Sequence, residues 1–343
     1  MNPKRVLTVV GNRPQFVKSA PLSLSLRDAG IEEIGLHTGQ HWDAEMSQIF
    51  YDELELPEPR YRLDLRTPDT RAMTAPIREA VESERPDWVI VMGDTNSTLA
   101  GAHAAGEEVP VAHVEAGLRS FDLSMPEERN RIEVDRLSAL LFCPDERSAR
   151  QLEAEGVRGR REVVGDVMAD ATRLFEPIAR RRPSPVDMPY TVLTIHREAN
   201  VDPERLRRIA GAVNDAGRRF AFPLHPRTRH VLEKHGIPLA DSVQALEPLG
   251  YLEMLALVAG AEAIVTDSGG LQKEAYWLRV PCVTLRPSTE WVDTVEAGGN
   301  TLVDPAAPER LGVVLDEARF PTDAPRLYGD GHAAGRIAGS LYP

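Results

Sequence analysis

Between His113 and Arg131 the chain reads His-Val-Glu-Ala-Gly-Leu-Arg-Ser-Phe-Asp-Leu-Ser-Met-Pro-Glu-Glu-Arg-Asn-Arg. Glu115 follows a β-branched run from Val109 to Val114, and Gly117 offers a turn. Pro126 then opens a helix with Glu127 and Glu128 in its first turn and Arg129 and Arg131 behind them. Acids and guanidiniums beyond a strand's carboxyl end, where open α/β sheets bind ligands, suit proton chemistry on an anionic substrate. The competing reading is a surface loop and a helix whose Glu127 and Glu128 merely complement the positive dipole end.

Four other constellations bear on that choice. In Met92-Gly93-Asp94-Thr95-Asn96-Ser97-Thr98, Asp94 is either a general base or the N-cap of the next helix. Beside Glu115, its charge would push the two pKa values apart. Gly11-Asn12-Arg13-Pro14-Gln15-Phe16-Val17-Lys18 joins the first strand to a helix, so free amides together with Arg13 and Lys18 would meet a phosphate or carboxylate. It matches neither a GxGxxG dinucleotide fingerprint nor a Walker A loop. In Thr266-Asp267-Ser268-Gly269-Gly270-Leu271-Gln272-Lys273-Glu274, Ser268 and two glycines open a helix whose Leu271, Ala275 and Leu278 form the core stripe. Backbone there can approach a pyrophosphate, and off-stripe Glu274 can accept from ribose hydroxyls. His196 and His225 each follow an apolar run, at spacings that fit no zinc pattern, so no metal is expected.

These groups need strands to hold them. Arg5 to Val10, Ile34 to Thr38, Trp88 to Met92, Val109 to Val114 and Leu140 to Phe142 are short apolar runs without alternation, as parallel strands buried on both faces are. Helices at Pro14 to Ala29 and Glu146 to Glu155 stop before glycine. The second half repeats the pattern with strands at Thr191 to Ile195, Phe220 to Leu224, Ala263 to Thr266 and Cys282 to Leu285. Its helices lie near Pro203 to Ala216, Tyr251 to Ala259 and Leu271 to Leu278. The expectation is an α/β protein of two doubly wound, Rossmann-like domains facing across a cleft. Residues 1–175 would carry the acids, 176–189 (rich in proline and arginine) would link, and 190–325 would form the second domain. The segment 326–343 would pack back on the first domain.

Composition excludes several classes. A chain of 343 residues suits two domains. A net charge of −13 with no basic stripe argues against nucleic acid. No apolar run approaches the ~20 residues that span a bilayer, and the apolar start is too short for a signal peptide. Cys143 and Cys282, far apart in apolar runs, read as buried free thiols of a cytoplasmic protein.

Taken together, the motifs resemble the non-hydrolysing UDP-N-acetylglucosamine 2-epimerases, from Val6 to about Val303. They are GNRPQFVK, TGQH, GDTNST, HVEAGLRS, PEERNR, the His196-Arg197 of TIHREAN, FPLHPRT, TDSGGLQKEA, and PCVTLR followed by TVEAG. The resemblance implies a two-domain, glycosyltransferase-B-like fold with UDP in the second domain. Ser268, Gly269 and Gly270 would hold its phosphates and Glu274 its ribose, with Arg197, His225 and Arg286 around them. Arg13 and His196 would reach the diphosphate. Asp94, Glu115 and Glu127 would be the acids around the sugar, supported by Lys18 and Arg131, while Glu128 keeps the dipole role. The implied reaction is anti elimination of UDP to a glycal and re-addition, inverting C2 with no cofactor, in a cytoplasmic homodimer.

Some positions depart from the family pattern. Trp42 follows TGQH, where an arginine serves a second, regulatory nucleotide-sugar site in many bacterial members, and Arg66 to Thr74 is short and lacks a glycine-rich loop. Glu198 stands one place early in the family's HRxEN element, and Pro287 follows Arg286 where an acid is usual. The wording leans toward the archaeal-type epimerases and those acting on 2,3-diacetamido uronic acid sugars. A hydrolysing epimerase, a retaining glycosyltransferase and a nucleotide-sugar sensor are the alternatives. Acids placed on the first domain count against the transferase.

Overall fold

A computed structural model describes residues 4–40, 56–187 and 189–341, apart from the side chain of Arg13. Compact packing divides the chain into one unit of Met1–Arg173 with Tyr328–Pro343, and a second of Leu174–Leu327.

The first unit is built on a parallel sheet. Its strands are β1 (Arg5–Val10), β2 (Glu32–His37), β3 (Tyr61–Arg62), β4 (Trp88–Met92), β5 (Val111–Val114), β6 (Leu140–Cys143) and β7 (Arg160–Val163). They lie in the order β3-β2-β1-β4-β5-β6-β7. The second unit has β8 (Thr191–Thr194), β9 (Phe220–Pro223), β10 (Val243–Leu246), β11 (Ala263–Thr266), β12 (Cys282–Leu285) and β13 (Asn300–Val303), in the order β10-β9-β8-β11-β12-β13. Every strand pairing is parallel, so helices cover both faces and the central strands are buried apolar runs. Leu7, Val9, Val89 and Val91 in the first sheet, and Phe220, Val265, Val283 and Leu285 in the second, are fully buried. Each such side chain contributes roughly 1.5–3 kcal/mol through burial.

Sheet order places the chemistry. In each sheet the chain runs outward one way and then returns to pair on the other flank of the first strand. The resulting crevice opens at the carboxyl ends of β1 and β4 in the first unit and of β8 and β11 in the second. Four strands, β3, β7, β10 and β13, are absent from the sequence reading. They lie at or near sheet edges, and β7 reads Arg-Arg-Glu-Val with largely exposed side chains, so no buried apolar run betrays it.

The helix Val167–Ala179 continues through Pro177 across the division between the units. The last helix, Ala333–Ser340, belongs to the first unit, where Asp170 accepts from the amides of Ala333 (3.0 Å) and Ala334 (2.8 Å) at its start. Both cysteines are free and buried. Among the described residues no helix is long and apolar enough to cross a membrane.

Candidate active site

In the first unit the loop after β1 is locked to the loop after β4 by one side chain. Gln15 accepts from the Gly11 amide (2.8 Å) and donates to the Met92 carbonyl (2.8 Å) and to Thr98 Oγ1 (3.0 Å). Asn12 caps the helix Arg13–Asp28. The Gly11 amide is therefore satisfied within the protein and does not face a ligand. Gly11 is required by packing, since a Cβ there would lie 2.0 Å from Ser97 Oγ. Gln40 of the TGQH motif accepts from the Ser97 amide (2.9 Å) and hydroxyl (2.7 Å), joining a third strand end to the same place. His41 and Trp42 lie outside the described residues, as does the Arg13 side chain.

Asp94 does not cap the following helix. Thr95 does, with Thr98 closing a capping box, and this leaves the Asp94 carboxylate to pair with Arg131. Burial raises the Asp94 carboxyl above the ordinary aspartate range, opposed by Arg131 and reinforced by Glu115.

Glu115 ends β5 in the left-handed region (φ 71°), a conformation unfavourable for a residue with a Cβ. Its carboxylate pairs with the Lys18 ammonium, and both side chains are nearly buried. Burial would lower Lys18, but Glu115, Asp166 and Asp94 together outweigh it and hold the ammonium above the ordinary lysine value. Lys18 is thus a counter-ion to a carboxylate, not a free cation waiting for an anion. Asp166 follows β7 and is a neighbour that sequence reasoning missed.

Glu127 and Glu128 divide sharply. Glu127 is exposed, close enough to Asp94 to raise its pKa. Glu128 is 2% exposed and accepts from the Ser120 amide (2.9 Å), the Ser120 hydroxyl (3.0 Å) and the Phe121 amide (3.0 Å). Glu128 sits in the first turn as the dipole reading has it, and it also clamps the loop between β5 and the helix Pro126–Leu137. That helix turns a polar stripe inward, with Glu128, Arg131 and Asp135 at spacings of three and four residues. Asn130 adds a bond to the Asp94 carbonyl (3.1 Å). His113 and Asp135, both fully buried, were also missed, although a helix lacking an apolar stripe was the available signal.

In the second unit Asp267 organises the loop after β8. Fully buried, it accepts from the amides of His196 (3.1 Å) and Arg197 (3.0 Å) and from Asn200 Nδ2 (3.2 Å). The rings of His196 and His225 lie 6.2 Å apart. His225 caps the helix Pro226–Lys234 through Nδ1, accepting from the Arg227 amide. Ser268 caps the helix Gly269–Trp277. A Cβ on Gly269 would come within 2.6 Å of Glu290, whereas one on Gly270 would meet no protein atom. Glu274 is half-buried. Arg286 pairs with Glu290 (2.8 Å), and burial together with nearby Arg286 holds the Arg197 guanidinium below the ordinary arginine value. Such a cation pair is relieved by an anion. Among the described residues no cluster of three or more His, Cys, Asp or Glu is arranged to hold a metal ion.

Residues 25–342 match the family described as UDP-N-acetylglucosamine 2-epimerase. The chain belongs to that family. As a family member it is an epimerase, 43% identical to the UDP-2,3-diacetamido-2,3-dideoxy-D-glucuronate 2-epimerase of Pseudomonas aeruginosa, over 97% of this chain and 98% of that one. It is also similar to the crystal structure of the Methanocaldococcus jannaschii UDP-GlcNAc 2-epimerase in complex with UDP-GlcNAc and UDP. There the TM-score is 0.88, with 37% identity over 98% of this chain and 99% of the other. A calicheamicin glycosyltransferase (TM-score 0.55, 16% identity, 99% and 94% coverage) shares the fold alone. The epimerase chain is accordingly a pair of Rossmann-like parallel α/β units of glycosyltransferase-B type.

Proposed function

We propose that the chain inverts C2 of a UDP-N-acetylhexosamine, converting UDP-N-acetylglucosamine to UDP-N-acetylmannosamine or acting on a 2,3-diacetamido relative. The observation that carries this reading is the pairing of Asp94 with Arg131 and of Glu115 with Lys18 at neighbouring strand ends of one switch point. Inversion requires proton transfer on both faces of C2, and two carboxylates with different counter-ions can take opposite protonation states.

In this mechanism one carboxylate takes the C2 hydrogen as the C1–O bond breaks. The electron pair of the C–H bond forms the C1=C2 double bond of a glycal, and UDP leaves with the C1–O pair. A proton delivered to the opposite face of C2 and return of a UDP oxygen to C1 complete the inversion. Asp94, Glu115 and Glu127 serve as the acids, with Lys18 and Arg131 holding their charge. UDP would lie at the switch point of the second unit. Ser268, Gly269 and Gly270 would face its phosphates, which accounts for a glycine at 270 that packing does not require. Glu274 would meet the ribose. Arg13, His196, Arg197, His225 and Arg286 would neutralise the departing diphosphate. A cytoplasmic homodimer is part of the same proposal, and light scattering on the purified chain tests the dimer.

Proton NMR of the purified protein with UDP-N-acetylglucosamine in D2O tests the reaction. Deuterium at C2 and a mannosamine signal without free UDP are expected. Free UDP accumulating with N-acetylmannosamine would identify the hydrolysing reaction instead. If neither exchange nor UDP release occurs, the assignment fails for this sugar, and the 2,3-diacetamido glucuronate substrate is the next to be offered.

A further inference from the structure

Behind the proposed acids, four ionisable side chains form a continuous chain of contacts. Glu155 receives a bidentate contact from Arg119 (2.8 and 2.6 Å). Arg119 Nη1 lies 2.7 Å from Asp135 Oδ2, and Asp135 Oδ1 lies 2.7 Å from His113 Nδ1. His113 Nε2 ends the chain, 2.7 Å from the Gly93 carbonyl oxygen. His113 and Asp135 are fully buried and the Arg119 side chain nearly so.

The bonding partners dictate where the protons are. A carbonyl oxygen has none to give, so His113 Nε2 carries one. Burial would raise Asp135, but His113 and Arg119 outweigh it and hold its carboxyl below the ordinary aspartate range. The Asp135 carboxylate thus lies between the Arg119 guanidinium and the His113 ring, so it is paired where water is excluded.

Two neighbouring members of this chain, His113 and Asp135, touch the two turns that matter. The Gly93 carbonyl precedes the Asp94 amide, and Asn130 holds the Asp94 carbonyl on the other side. Asp135 Oδ2 also accepts from the Gly117 amide (3.3 Å), two residues after Glu115. Both turns contain left-handed backbone, Gly93 at φ 69° and Glu115 at φ 71°; glycine adopts it freely, whereas the surroundings must enforce it at Glu115.

We propose that His113 and Asp135 are positioning residues that lock the turn presenting Asp94 to the turn presenting Glu115. The inference rests on the epimerase reading, in which those carboxylates move the C2 proton. A shared anchor keeps two groups from different strands at a fixed separation, which matters because a supporting shell sets the precision of the reacting groups.

The test compares wild type with His113→Asn and His113→Gln in the C2 deuterium-exchange assay. Asparagine places its amide near the Nδ1 position, keeping Asp135 and releasing Gly93. Glutamine reaches the Nε2 position and keeps Gly93. Each variant keeps one contact and breaks the other, so His113→Asn and His113→Gln are both expected to lose roughly 10- to 100-fold in kcat with KM changed by less than about threefold. Wild-type kcat in either variant overturns the proposal. A wild type that exchanges nothing sinks the epimerase reading for that sugar and leaves this inference to a second measurement. In wild-type protein with ring-15N histidine, the His113 Nε2 proton held by the Gly93 carbonyl is expected to exchange slowly. A rapidly exchanging Nε2 proton breaks the chain and overturns the proposal, even if no substituted protein folds.

Discussion

Lys18 and Glu115 form a nearly buried ion pair between the helix that follows β1 and the strand end of β5. The pair joins two elements far apart in sequence at the place where the sheet order reverses. Lys18→Met strands the Glu115 carboxylate in low dielectric, and Asp166 and Asp94 lose the same counter-charge. A loss on the order of 3 kcal/mol in folding stability is expected, because the remaining charge is uncompensated. Lys18→Met/Glu115→Gln should be more stable than Lys18→Met alone, since the stranded charge is gone. Urea unfolding of wild type and the two variants measures this, and equal midpoints for the single and double variants would contradict it. Lys18→Met and Glu115→Gln should each also lose roughly 100-fold or more in C2 exchange.

Asp94 makes a prediction about pH. Its folded-state pKa is raised, so ionising it costs more in the folded chain than in the unfolded one. The cost is absent below the ordinary value of 3.8 and grows as pH rises through the interval up to the folded value. Asp94→Asn should therefore melt higher than wild type at pH 7, with the gap narrowing as pH is lowered toward that ordinary value. A lower Tm for Asp94→Asn at pH 7 would show that the Arg131 pair outweighs burial. In the rate profile, Arg131→Met should move the Asp94 limb to still higher pH, because the cation opposing burial is removed.

Glu128 concerns the loop, not the proton. Glu128→Ala releases the Ser120 and Phe121 amides that it now receives. Removing one buried acceptor of several hydrogen bonds costs about 1–3 kcal/mol. Amide hydrogen exchange at Ser120 and Phe121 should accelerate well beyond any global change, while Glu127→Ala leaves both amides as slow as in wild type. Comparable acceleration in the two variants would mean that Glu128 is not the clamp.

Much of the architecture is legible because the physics is local. β1, β4 and β11 read as buried parallel strands from apolar runs bounded by glycine or polar turns, and the motifs at their carboxyl ends name the chemistry. The edge strands β7 and β10 escape because half their side chains face water, so no run of apolar residues marks them.

The sequence by itself determined which residue types gather beyond the strand ends, the repeated strand–helix rhythm and the family. Only the tertiary structure decided who pairs with whom. It gave the cap to Thr95 and left Asp94 to Arg131, and of the phosphate or carboxylate open to Lys18 it chose the Glu115 carboxylate. It also buried Glu128 and Asp135 on a helix that reads as a solvated one. The reason is that partners such as His113 and Asp135, or Lys18 and Glu115, are distant along the chain. Their interaction depends on burial and on strand order, neither of which leaves a mark at a single position.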